Sequence, residues 1–222
     1  MQGIRAILFD LDDTLYREHD YVRSGFAAVA ARLAAEPAAP PEDELYRALE
    51  REWLRSGRGR VFDVVIDRFG LRVPVPELVE VYRNHEPELS LYADADRTLT
   101  ALEARGCGFG IVTDGAAGVQ RRKLRALGLD RRVPCIVVSD EYGPGASKPS
   151  AVPYRAALEQ LRVPAAETLY VGDNPHKDFI GARALGMATV RVRRPVGDHA
   201  QTVLDTEHEA DRDIASLDEL RS

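Results

Sequence analysis

Two aspartates one residue apart, Asp10 and Asp12, follow the first apolar run of the chain, Ala6-Ile7-Leu8-Phe9, and Asp13 and Thr14 come directly after them. Like charges crowded in this way are costly unless a cation or a proton relieves them. Three further segments end on groups of the same kind. Ile111-Val112 leads into Thr113-Asp114-Gly115, and Ser139-Asp140-Glu141 is followed by Ser147-Lys148-Pro149. Leu169-Tyr170-Val171 leads into Gly172-Asp173-Asn174-Pro175-His176-Lys177-Asp178. If these apolar runs are neighbouring strands, four acids, a hydroxyl and a lysine meet at one edge. Hard oxygen donors in that number, without a His/Cys cluster, suit Mg²⁺ better than zinc. Each group also has a plain reading, because Asp, Thr and Gly-Asp are ordinary turn and cap residues.

The elements that must position these groups are legible in outline. Ala6–Phe9, Gly108–Thr113, Cys135–Ser139, Leu169–Gly172 and Thr189–Val192 are short and almost wholly apolar, as strands buried on both faces are. Helical patterns such as 120–127 and 154–161 separate the later ones, which predicts crossover units and a parallel sheet. The fold class is therefore α/β, a doubly wound Rossmann-like core. Between the first two strands there is no strand pattern, only helical stretches at 22–35, 42–55, 61–69 and 76–85, divided by Pro37, Pro40, Pro41, Gly57, Gly59, Pro74 and Pro76. A crossover needs a dozen or so residues, so this segment predicts an inserted helical domain. The expected division is a core of 1–16 and 92–222 and an insert of 17–91, with hinges near Tyr16 and Tyr92-Ala93-Asp94. Near the end, Ile214 and 216–220 suggest an edge element and a short helix.

Composition narrows the partners. The 222 residues are 45% hydrophobic and 30% charged with a formal net charge of -6. That balance fits a globular protein and argues against a nucleic-acid-backbone binder. Cys107 and Cys135 have no metal-ligand spacing and suit a reducing compartment. With no membrane-length apolar stretch and no signal-peptide pattern, the expected location is the cytoplasm, with no membrane partner.

Taken in order, the four segments resemble the haloacid dehalogenase-like hydrolase superfamily over nearly the whole chain. The signature Asp-x-Asp-x-Thr stands at Asp10 to Thr14, the Ser/Thr motif at Thr113, the lysine motif at Lys148-Pro149 and the acidic motif at Gly172-Asp173 through Asp178. The helical insert resembles that superfamily's cap. The resemblance implies Asp10 as nucleophile on a phosphoryl group and Asp12 as general acid and then general base. It implies Mg²⁺ held by Asp10, Asp173 and the backbone carbonyl of Asp12, with Asp178 holding a metal-bound water or orienting Lys148. Thr113 and the amides around Asp114 and Gly115 would cradle phosphate oxygens, Lys148 would offset negative charge, and Tyr16 would contact substrate or pack at the hinge.

Two features depart from the common pattern. Asp114 stands where many relatives have Asn, and its charge repels phosphate unless it turns away or meets a leaving-group hydroxyl. The loop from Gly143 to Lys148 is longer than in common relatives, which predicts a shifted path for Lys148. Asp13, Asn174, His176 and Lys177 remain open between structural and functional roles.

Within the superfamily, Asp12 argues against a dehalogenase, which has no leaving oxygen to protonate. The three lysines, Lys123, Lys148 and Lys177, all lie outside the insert, which excludes a phosphonate hydrolase that needs a cap lysine for a Schiff base. The expectation is a Mg²⁺-dependent phosphatase acting on a small phosphorylated metabolite, as monomer or homodimer. A sugar-phosphate mutase is the alternative, and a non-catalytic phospho-ligand binder would have lost an acid that this chain keeps. Arg51, Arg55, Arg58 and Arg60 around Trp53 could bind a second anion or stack a base, or form a solvated helix face.

Overall fold

All four side chains of β1, Ala6–Phe9, are buried, which a strand covered by helices on both faces requires. In the computed structural model, which describes residues 3–221, β1 lies inside a parallel sheet. The other strands are β2 Gly108–Thr113, β3 Cys135–Val138, β4 Thr168–Gly172, β5 Ala188–Val192 and β6 Arg212–Ile214. The order is β3-β2-β1-β4-β5-β6. Beside β1, Phe9 aligns with Ile111 of β2 on one edge and with Val171 of β4 on the other. The order reverses at β1, and the crevice beyond the carboxyl ends of strands at such a point is where doubly wound sheets bind ligands. The Asp10 amide donates to the Val171 carbonyl at 2.8 Å, carrying the β1–β4 ladder one residue past the strand.

The helices are α1 Glu18–Ala34, α2 Glu42–Ser56, α3 Val61–Phe69, α4 Val75–Asn84 and α5 Ala93–Arg105 between β1 and β2. After β2 come α6 Ala117–Ala126 and α7 Leu129–Arg132, then α8 Ala151–Leu161 before β4 and α9 Phe179–Ala184 before β5. Residues up to Glu18 and from Leu89 onward form one compact unit, and His19–Glu88 form another.

In the first unit one face of the sheet packs Leu8, Val112, Val137 and Tyr170 against Tyr154 of α8 and Phe179 of α9. Helix α9 comes close to the chain beside Lys148: a Cβ on Gly181 would lie 2.1 Å from the Pro149 carbonyl oxygen. Leu15 and Tyr92 are joined where the chain leaves and re-enters this unit, the Tyr92 amide donating to the Leu15 carbonyl at 2.9 Å. Ile214 lies in β6, and Leu217–Arg221 form a 3₁₀ turn.

The second unit has its own core of Phe26, Leu33, Leu45, Leu49, Trp53, Val65 and Leu78. Trp53 is buried within it, and Arg55 makes two hydrogen bonds to Glu52, 2.8 and 3.0 Å long. That favours the solvated-face reading of the arginine cluster over an exposed stacking platform. No helix among the described residues is long and apolar enough to cross a membrane.

Candidate active site

The strand ends of the first unit bring the predicted groups together around Lys148. Its ammonium donates to Asp10 Oδ1 at 2.5 Å, Asp178 Oδ1 at 2.7 Å and the Tyr170 hydroxyl oxygen at 2.9 Å, with the Val112 carbonyl at 3.2 Å. The side chain is 0% exposed. A lysine buried this completely needs paired carboxylates, because desolvation disfavours its charged form. The Gly143–Lys148 loop brings the ammonium to both acids.

Asp10, Asp173 and Asp178 are all buried, and one carboxylate oxygen from each lies within 4.8 Å of the others. Burial, only partly offset by Lys148, pushes the Asp10 carboxyl up to about 7. Burial and the charges of Asp178 and Asp10 hold Asp173 well above the usual carboxylate range. Burial also acts to raise Asp178, but Lys148, Lys177, the hydrogen bond from Lys148 and that from the Asn174 amide outweigh it and hold it low. An acidic, oxygen-only cluster with two of its three carboxyls destabilised in charged form is chemically suited to a divalent cation. The chain around it is shaped closely: a Cβ on Gly172 would lie 2.3 Å from Asp178 Oδ2. Arg191, buried in β5, donates to the Asp173 carbonyl at 3.0 Å and fixes that strand end.

Asp12 stands apart from this cluster. Its Oδ1 accepts from Lys123 Nζ at 2.7 Å and from the Tyr16 hydroxyl, and its Oδ2 accepts from Gln120 Nε2 at 3.0 Å. Burial favours its neutral form, yet the Lys123 charge and the three hydrogen bonds win and keep it below the usual carboxylate range. As a metal ligand through its side chain, Asp12 does not fit this arrangement; Lys123 holds the carboxylate instead. Tyr16 is fully buried, and its hydroxyl donates to Asp12. Thr113 is also buried, and its Oγ1 accepts from Gln120 at 2.6 Å.

Asp114 turns towards the lysine loop. It accepts the Lys148 amide at 3.1 Å and lies 3.4 Å from Lys177 Nζ, which answers the charge conflict that its position raised. Gly115 has φ +123, a conformation that side chains rarely adopt, and it packs beside Gln120. Asp13 is structural in this arrangement, its two oxygens accepting the Glu18 amide at 2.9 Å and the Asp198 amide at 3.2 Å.

A haloacid dehalogenase-like hydrolase family model matches residues 4–186, which span all four motifs. The chain belongs to the haloacid dehalogenase-like hydrolases. It is a hydrolase of the phosphatase type. A glyceraldehyde 3-phosphate phosphatase of Methanopyrus kandleri is 36% identical, over 86% of this chain and 84% of its own. A ribulose-1,5-bisphosphate 5-phosphatase of Halopiger xanaduensis is 32% identical, over 97% of both chains. Among solved structures, a HAD phosphatase from Thermococcus onnurineus is 28% identical, covers 98% of this chain and 96% of its own, and has a TM-score of 0.62.

Sequence reasoning missed four residues of this hydrolase's site: Gln120, Lys123, Tyr170 and Arg191. Tyr170 and Arg191 lie inside strands, where their polar ends are hidden in an apolar pattern. Gln120 and Lys123 carried a usable signal: with Leu124 they form the buried face of α6, and polar residues at i and i+3 on a buried helix face are unusual.

Proposed function

We propose that this hydrolase is a Mg²⁺-dependent phosphatase that cleaves a small phosphomonoester through an aspartyl-phosphate on Asp10. The observation that carries the reading is the cluster of Asp10, Asp173 and Asp178 closed by the buried ammonium of Lys148. Asp10, Asp173 and the carbonyl of Asp12 would hold the cation, which supplies charge neutralisation between carboxylate and phosphate. In the first half-reaction Asp10 forms a bond to phosphorus while the bond to the leaving oxygen breaks. Asp12, when protonated, delivers its proton to that oxygen, and in the second half it takes one from the water, whose oxygen bonds to phosphorus as the bond to Asp10 breaks and phosphate leaves. Lys148 offsets charge on Asp10 and on the phosphoryl oxygens, and Thr113 with the amides at Asp114 and Gly115 cradles those oxygens. The helical insert, 17–91, would serve as a cap that selects the substrate.

The relatives act on glyceraldehyde 3-phosphate and on ribulose 1,5-bisphosphate by name, and both are phosphorylated carbon chains of the expected class. The test is a panel of these compounds with phosphoserine, phosphoglycolate and an aryl phosphate, with Mg²⁺ and with chelator. Release of phosphate that needs Mg²⁺ and disappears in Asp10→Asn supports the reading. Activity that survives chelator or Asp10→Asn overturns it, and isomerisation of a sugar phosphate without release would assign a mutase.

A further inference from the structure

Helix α6 lays a polar face where a helix packed on a sheet would carry apolar residues. Lys123 is 4% exposed and Gln120 is 1% exposed. One turn of helix therefore aims an ammonium and an amide at the loop that follows β1. Lys123 holds Asp12 Oδ1 at 2.7 Å, and Gln120 spans Asp12 Oδ2 at 3.0 Å and Thr113 Oγ1 at 2.6 Å. Tyr16 closes the third side. Donors from two separate segments thus fix both oxygens of one carboxylate, and with them the torsion about its Cβ–Cγ bond.

We propose that Lys123 is a positioning residue for phosphoryl transfer, holding the Asp12 carboxyl, with Gln120 and Tyr16, in the orientation from which it serves the leaving oxygen. The proposal rests on the phosphatase reading above. A carboxyl that transfers a proton must sit within hydrogen-bond reach of the oxygen it serves, and free rotation forfeits that alignment. Through the shared amide of Gln120, the same network ties Asp12 to the hydroxyl that would meet the phosphate. As the P–O bond to the leaving group breaks, the Asp12 O–H bond breaks with it and the proton passes to the departing alkoxide. Lys123 itself exchanges no proton in this step: it and Tyr16 both donate to Oδ1, so the proton that Asp12 delivers is carried on Oδ2, where Gln120 is the one donor among the described residues.

The leaving group discriminates this role from a merely structural one. An alkoxide departs poorly without a proton, whereas 4-nitrophenolate departs well without one. With glycerol phosphate, Lys123→Met should lower kcat/KM by about 10- to 100-fold, and with 4-nitrophenyl phosphate by about threefold or less. Lys123→Arg, which keeps a donor, should recover most of the loss on glycerol phosphate. Should Lys123→Met fail to fold by circular dichroism, Tyr16→Phe and Gln120→Leu each remove one bond to Asp12 and should show the same selectivity at about 3- to 10-fold. Equal losses on both substrates, or no loss on glycerol phosphate, would overturn the proposal.

Asp12→Asn, measured on the same pair, separates the two layers. If it shows no leaving-group selectivity, the acid role of Asp12 falls and the positioning role falls with it. If Asp12→Asn is selective while the Lys123, Tyr16 and Gln120 variants are not, the phosphatase reading stands and the proposal alone is overturned.

Discussion

Replacing Lys148 by Met removes the one fully buried ammonium beside Asp10 and Asp178 and leaves its volume nearly unchanged. Carboxylate oxygens of Asp10, Asp173 and Asp178 within 4.8 Å of one another would then face each other without it. Two unit charges at that separation repel by about 3.5 kcal/mol at an effective dielectric near 20. The chain can also escape by protonating a carboxyl, at about 1.4 kcal/mol per pH unit above its unfolded value near 3.9. At pH 7.5 that would cost about 5 kcal/mol, so the repulsion of about 3.5 kcal/mol sets the penalty, in line with the roughly 3–5 kcal/mol for breaking one side of a buried pair; at pH 5 protonation is cheaper and sets it at about 1.5 kcal/mol. The sign follows from the variant: without Lys148 a carboxyl of the cluster is raised, and a raised carboxyl costs stability progressively as pH climbs above its unfolded value. Asp178, which Lys148 helps to hold below its usual range, adds a contribution that wild type loses only as pH falls through that lowered value. The gap between wild type and Lys148→Met should therefore be widest near neutrality and close towards pH 4. Urea unfolding followed by circular dichroism in chelator reads it: with a slope near 2.5 kcal/mol/M, the midpoint should drop by about 1.4 M at pH 7.5. At pH 5 the drop should be about 0.6 M by the same slope. Unchanged midpoints at pH 7.5, or a gap that widens on acidification, would refute the reasoning.

Other perturbations probe the same architecture. Asp10 has the opposite sign, since its carboxyl is raised to about 7: ionising it costs stability at all pH values above its unfolded value. In chelator at pH 8, Asp10→Asn should be more stable than wild type by up to about 4 kcal/mol, the gain fading below pH ~5; a lower melting temperature at pH 8 would contradict this. Gly172→Ala places a methyl group 2.3 Å from Asp178 Oδ2, so it should cost about 1–3 kcal/mol and most of the activity. Wild-type turnover in that variant would show that Asp178 has room to move. Asp94, at the start of α5, accepts from Arg194 at 2.8 Å, Ser216 Oγ at 2.9 Å and the Leu217 amide at 2.8 Å. Burial alone would raise its carboxyl, but these bonds hold it low. Asp94→Asn should therefore lose about 1–3 kcal/mol at pH 7 and converge on wild type below pH ~4, as thermal melts across pH would record.

The apolar runs that became β1, β2 and β4 are local patterns, and so are the acids that end them. In a strand buried on both faces a polar group is placed most cheaply where the strand stops, so Asp10, Thr113 and Asp173 mark their own places, whereas Tyr170 and Arg191 sit inside β4 and β5 and do not. The ends of β3, β4 and β5 are set by ladder pairing with neighbours, and there the pattern was off by a residue: Ser139 leaves β3 for a 3₁₀ turn, while Thr168 and Ala188 join their strands. Residues 195–209 form no helix or strand, and they hold Arg191 through backbone as well as through the Glu209 carboxylate, which accepts from it at 2.9 Å. The carbonyls of His199 and Thr202 accept from the buried Arg191 guanidinium, and a carbonyl leaves no trace in residue type.

By itself, the sequence determined which side chains could do chemistry, their order along the chain, the parallel α/β core and the helical insertion between the first two strands. Tertiary structure decided how the charges divide. Asp10 and Asp12 are separated by Leu11 alone, yet one faces the buried acids and Lys148, while the other is held by Lys123, Gln120 and Tyr16. Coulomb energy depends on distances through space, and those depend on which helix face reaches which strand end. Lys148, 138 residues from Asp10 along the chain, and Lys123, 111 residues from Asp12, acquire their partners only when the sheet brings them together.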